Sequence, residues 1–143
     1  MGSAELPARV PSCTACEWDL SAEPIPSPVE DGAFMVRFLR DQQDVLFWYL
    51  YLGAAGTSAG GSFVVCSPIP FDATDMTGRR EQVLANTWWC APEFEQFVYR
   101  FWIENVLWFS LNEFGSGVPD PSGAGTDERA RRAYLAHYAG TAD

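Results

Sequence analysis

The chain has 143 residues, 48% of them hydrophobic and 15% aromatic, and carries nineteen acidic against nine basic side chains for a net charge of −10. That length and apolar content fit one globular domain with a real core and exclude a disordered chain. Every basic residue is Arg, and so acidic a balance repels nucleic-acid phosphates and anionic lipid. Neither is therefore an expected partner, whereas a basic protein would be attracted.

No charged start leads into an apolar leader core, and no apolar run reaches the roughly 18 residues of a membrane span. A cytoplasmic location is expected, with Cys13, Cys16, Cys66 and Cys90 kept as thiols. Residues 1 to 32 contain five prolines, and PIPSP at Pro24 to Pro28 forbids a helix there and favours extended backbone. This segment is expected to be a Pro-rich arm that is loose at its start and docked near Trp18. Residues 33 to 143 are expected to form a single α+β domain.

From Ala33 the runs AFMVRFLR, DQQD and VLFWYLYL predict a β-hairpin. Phe34, Val36 and Phe38 point one way and Met35, Arg37 and Leu39 the other. The second strand is apolar on both faces and so belongs inside the sheet. Gly53 to Gly61 reads as a loop. SFVVCS predicts a third strand, ended by Pro68 and Pro70, which cannot donate to a ladder. After a polar loop through Asp72, Asp75 and Arg79, QVLANTWWC is expected as a fourth strand feeding directly into a helix, with a turn at Asn86 and Thr87 as the alternative.

That helix is the long one, Pro92 to Phe114. Pro92 suits its first position, Glu93 and Glu95 complement the dipole, and Gly115 supplies the stop. At 3.6 residues per turn one stripe carries Phe94, Phe97, Val98, Phe101, Asn105, Trp108, Phe109 and Asn112. A weaker stripe holds Tyr99, Ile103, Val106 and Ser110, and only Gln96, Arg100 and Glu104 read as solvent-facing. Asn105 and Asn112 are expected to bond backbone groups of neighbouring elements. After a Gly/Pro/Ser loop, Thr126 caps a second helix whose stripe is Ala130, Ala133, Tyr134, His137 and Tyr138. The expected architecture is an antiparallel sheet of three or four strands packed by the long helix and this C-terminal helix.

Catalytic chemistry finds little support. CTAC at Cys13 to Cys16 has the spacing of half a zinc site, but Cys66 and Cys90 are 24 apart in strand-like runs and cannot supply the second close pair. A thioredoxin-type role needs the pair at the start of a helix after a strand. His137 is the only histidine and sits on an amphipathic stripe, which accounts for it without a catalytic role. The glycine-rich loop is followed by a strand and by no GK[ST] sequence, which rules out a phosphate cradle. The loop carboxylates Asp41, Asp44, Asp72 and Asp75 are expected to be solvated turn residues. No metal, no cofactor and no catalytic residue is expected.

APEFEQFVYRFWIENVLWFSLNE, with FLRDQQDVLFWYLY and the short strand between them, resembles the C-terminal half of SUKH superfamily domains, related to fungal cell-wall synthesis regulators. The matching positions are Asp41, Gln42 and Gln43 in the turn, Trp48 in the strand, Ala91, Pro92 and Phe94 at the helix start, and Phe101, Trp102 and Glu104 within it. The family's opening helices have no counterpart in the Pro-rich arm. The resemblance implies an α+β domain without catalytic activity, used mostly as a bacterial immunity protein that binds and neutralises a cognate toxin.

The leading expectation is thus a non-enzymatic protein-binding module of immunity type. Asp41, Asp44, Asp72 and Asp75 would steer a basic toxin, and Tyr49 and Tyr51 would supply contact energy. The alternatives are a small metal-dependent hydrolase using the loop carboxylates, and a structural or oligomer-forming protein without a soluble ligand. The oligomeric state is left open.

Overall fold

The structure is a computed structural model that describes residues 12, 15–55, 61–111, 132 and 136. One antiparallel sheet contains β1 (Cys16–Trp18), β2 (Ile25–Pro26), β3 (Phe34–Asp41), β4 (Phe47–Leu52), β5 (Ser62–Ser67) and β6 (Trp88–Ala91). Two helices follow the strands of the main path: α1 (Arg80–Ala85) between β5 and β6, and α2 (Phe94–Leu111) after β6. The class is α+β, as expected, but the sheet has six strands rather than three or four. The whole sheet and the first turn of α2 lie in one compact unit, Thr14–Phe97, while α2 from Val98 onward belongs to a second.

The two extra strands come from the Pro-rich segment. β1 and β2 lie one after the other along the same edge of β3, with Trp18 opposite Leu39 and Ile25 opposite Met35. Between them Asp19 N–H donates to Phe38 O and Ser21 N–H to Arg37 O, both at 3.0 Å. Proline is tolerated here because an edge strand leaves half its N–H groups without a ladder partner. Trp18 is half-buried, 6.1 Å from the Phe38 ring.

The hairpin forms as its pattern predicts. Asp41 N–H donates to Leu46 O at 3.0 Å, and the Asp41 carboxylate Oδ1 accepts from the N–H groups of Val45 (2.7 Å) and Leu46 (3.0 Å). Asp44 sits at φ 55°, a left-handed position that Asp tolerates better than most residues. The register shifts between Arg37 and Leu39, and both Phe38 and Leu39 are buried. An extra residue in a bulge is what breaks strict alternation.

Directly paired residues share a face. On one face Ile25, Met35, Tyr49, Tyr51 and Val65 form the main core cluster together with Phe71, Met76 and Val83 from the segment after β5. The segment expected to be a polar loop is therefore the lid of that face. On the other face Val64 and Leu39 are fully buried, and Phe38 meets Phe94 and Phe97 edge-on at 5.0 and 5.3 Å.

The fourth-strand expectation is corrected at its front half: Gln82 to Ala85 are helical, and the strand is only Trp88–Ala91. Asn86 closes α1, its N–H shared between Gln82 O and Val83 O and its Nδ2 donating to Gln82 O at 2.8 Å. Val83 is 3% exposed, so burial of one inward residue against the sheet outweighs local strand propensity.

Helix α2 starts at Phe94, two residues later than the helix expected from Pro92. Phe97 N–H donates to Glu93 O at 3.1 Å, so Glu93 precedes the first turn and Pro92 stands outside it. Among its described side chains beyond the first turn, Ile103 and Asn105 are the most buried, whereas Trp108 is 42% exposed and Tyr99 37%. The more deeply buried of the two, Ile103, belongs to the weaker stripe. Asn105 Nδ2 donates to Phe101 O one turn back, at 2.6 Å, and Arg100 pairs with Glu104 at 3.3 Å. The end of this helix past Leu111 and the helix expected from Thr126, including its stripe and His137, lie outside the described residues; of that stretch only Arg132 and Ala136 are described, both helical.

Candidate functional site

The four carboxylates expected to face a partner do not form one cluster, and each already has a bonding role. Asp41 is half-buried and closes the hairpin. Asp44 pairs with Arg40, and Asp72 with Arg37 at 2.5 Å. Asp75 accepts the Thr77 N–H at 2.9 Å, and hydrogen bonds from the Thr77 hydroxyl and N–H hold its carboxyl below the ordinary range. Arg37 and Arg40 are bridged by Asp19, at 3.1 and 3.2 Å, and Arg40 also reaches Glu17 at 2.7 Å. The Arg37 guanidinium lies over the Phe47 ring at 5.8 Å, within cation–π range. This network ties β1 and the Asp72 turn to the hairpin, a structural task.

Tyr49 and Tyr51 are corrected as contact residues: they are 0% and 6% exposed. The Tyr49 hydroxyl donates to Ile69 O at 2.8 Å and accepts from Phe71 N–H at 3.2 Å, and burial pushes the phenol up to about 12. The Tyr51 hydroxyl donates to the Glu30 carboxylate at 2.7 Å, and burial raises its pKa as well. Alternation in β4 put them on one face, and the lid from residues 68 to 85 turned that face into core.

Beside this lid a groove of about 420 Å³ opens between the Ile25–Pro28 stretch and the Phe71–Gly78 turns. Its floor includes Ile25, Phe71 and Met76, and Asp31 and Asp75 stand among its lining residues. Gly78 at φ +74° turns the chain there, with open space where a side chain would project. Among the described residues no cluster of three or more His, Cys, Asp or Glu could hold a metal ion, and no helix is long and apolar enough to cross a membrane.

The exposed feature the sequence reading passed over is Trp88–Trp89. They occupy β6, which closes the strand order β1-β3-β4-β5-β6, and are 51% and 64% exposed. Trp88 pairs with Cys66 and Trp89 with Val65, so the two indoles project from opposite faces of the edge. Leu84 on α1 is 54% exposed as well. A signal was present: two consecutive tryptophans on one strand cannot share a buried face.

Comparison with known proteins returns no match: no protein-family model, no curated protein and no solved structure matches this chain.

Proposed function

We propose that this chain is a non-enzymatic protein-binding module whose contact surface is centred on the β6 edge. The observation that carries the reading is the adjacent, largely exposed pair Trp88 and Trp89. Single exposed apolar residues are ordinary, but tryptophan is the residue most enriched among those that dominate binding energy at protein interfaces. The net charge of −10 favours a basic partner over an acidic one and so supports this reading. In its specific form, the resemblance to SUKH domains makes the chain a bacterial immunity protein, acting in the cytoplasm, that neutralises a basic toxin. The hydrolase alternative is weaker, since Asp41, Asp44, Asp72 and Asp75 are engaged in turns and ion pairs.

The test is binding to the protein encoded beside this chain's own gene. A one-to-one complex is expected, weakened at least about 100-fold by Trp88→Ala with Trp89→Ala, since hot-spot truncations cost 2 kcal/mol or more each. Unchanged affinity in the double variant would remove the β6 edge from the interface. A mass that grows with concentration, with no complex, would favour the oligomer-forming alternative.

A further inference from the structure

Cys66 lies on β5 and Cys90 on the neighbouring antiparallel strand β6. Cys66 pairs with Trp88, and the register shift between Val64 and Val65 leaves Cys90 as the extra residue between Trp89, opposite Val65, and Ala91, opposite Val64. Two steps from Trp88 along β6, Cys90 is a diagonal neighbour of Cys66, and the two side chains are in hydrogen-bond contact. Both residues are half-buried thiols, not joined to each other or to Cys16. Cys16 is on β1, at the opposite side of the sheet, three strand spacings or about 14 Å from β5 and four or about 19 Å from β6.

We propose that Cys66 and Cys90 form an oxidation site that closes to a disulfide joining β5 to the edge strand β6. This rests on the strand placement and is independent of the proposed binding function. The thiols must move from hydrogen-bond contact to the about 2.05 Å of an S–S bond. Cys90 is placed to make that movement, because it is the bulged residue of a strand that the described sheet holds from one side only. A hydrogen bond with Cys90 draws the Cys66 thiol below its ordinary value against the opposing effect of burial, while Cys90 Sγ also lies 3.8 Å from Trp88 O; the lowered thiol makes Cys66 the attacking group.

The oxidant is a low-molecular-weight disulfide. The Cys66 thiolate attacks one of its sulfurs, forming a mixed disulfide and releasing one thiolate. Cys90, deprotonated in its turn, attacks Cys66 Sγ, expels the second thiolate and leaves the Cys66–Cys90 bond. The two protein thiols lose two electrons to the small disulfide, and their two protons end on the two small thiols released.

The experiment equilibrates the folded full chain with oxidised glutathione, blocks remaining thiols and maps tryptic peptides by mass spectrometry. Cleavage at Arg places Cys66 in Asp41–Arg79, Cys90 in Glu81–Arg100, and Cys13 with Cys16 together in Val10–Arg37. A cross-linked Asp41–Arg79 and Glu81–Arg100 pair is expected as the main oxidised product. In 8 M urea the same treatment should cut its yield several-fold, because the placement by the sheet is gone. Cys90→Ser should instead retain glutathione on Cys66. Blocked Cys66 and Cys90 after oxidation, a link to Cys16, or an undiminished yield in urea would each overturn the proposal.

Discussion

The Tyr49 hydroxyl takes the Phe71 N–H at 3.2 Å while giving its own proton to Ile69 O at 2.8 Å. A central-strand side chain thereby fastens the segment after β5 across the sheet, and the Tyr49 and Phe71 rings pack at 5.1 Å. Tyr49→Phe keeps the packing and strands one buried donor and one acceptor. A loss of about 1 to 3 kcal/mol in urea unfolding is expected; an unchanged midpoint would mean water replaces both bonds.

The same phenol sets an alkaline limit. Burial raises its pKa from 10.0 to about 12, so the folded state favours the neutral form. That contribution is fully present below pH 10 and disappears as pH climbs from 10 to 12. Unfolding followed at pH 9, 10 and 11 should show a fall in stability that Tyr49→Phe makes shallower. Tyr51, raised in the same direction, leaves a residual slope in that variant.

On α2, Ile103 is 1% exposed and Trp108 42%. Ile103→Ala should cost about 2 to 5 kcal/mol, the range for a buried aliphatic cut to Ala. Trp108→Ala should fall below the about 3 to 5 kcal/mol of a fully buried aromatic. Thermal melts of the two variants decide it, and a larger loss at Trp108 would contradict the observed burial.

At the hairpin, Asp41→Ala removes the acceptor of two backbone N–H groups, whereas Asp44→Ala removes an exposed ion pair with Arg40. The first should cost about 1 to 3 kcal/mol and the second no more than about 1. Equal losses in chemical denaturation would show that the turn does not depend on the Asp41 carboxylate.

If a basic toxin is the partner, its association should slow as salt rises while dissociation changes little, because the Debye length falls from about 10 Å at 0.1 M to about 3 Å at 1 M. Reversing the exposed Glu23 and Asp31 to Arg should slow association at low salt without touching the hairpin. Rates indifferent to both salt and charge reversal would leave the contact with β6 but remove the steering.

The β3–β4 hairpin and the β5 strand were legible in the residues, and a helix after Pro92 was legible to within two residues of its start. Their signals are local: alternation over six to eight residues, a turn closed by Asp41, and helical spacing after Pro92. The interior position of β4 was legible too, because apolar residues on both faces of a strand require cover on both. The strand count was not, since β1 and β2 pair with β3 through backbone bonds and edge positions that a Pro-rich stretch does not advertise.

Only the tertiary structure decided which aromatics are core and which are surface. Tyr49 and Tyr51 look like amphipathic strand residues and become buried because Phe71, Met76 and Val83 fold over their face. Trp88 and Trp89 look like core and are left outward on the last strand of the described sheet. Composition determined how much apolar surface the chain must hide, whereas the side chains actually hidden were chosen by long-range pairing and lid closure, which join residues far apart in sequence. The proximity of Cys66 and Cys90 is of that second kind: 24 positions separate them, and the pairing of β5 with β6 makes them diagonal neighbours.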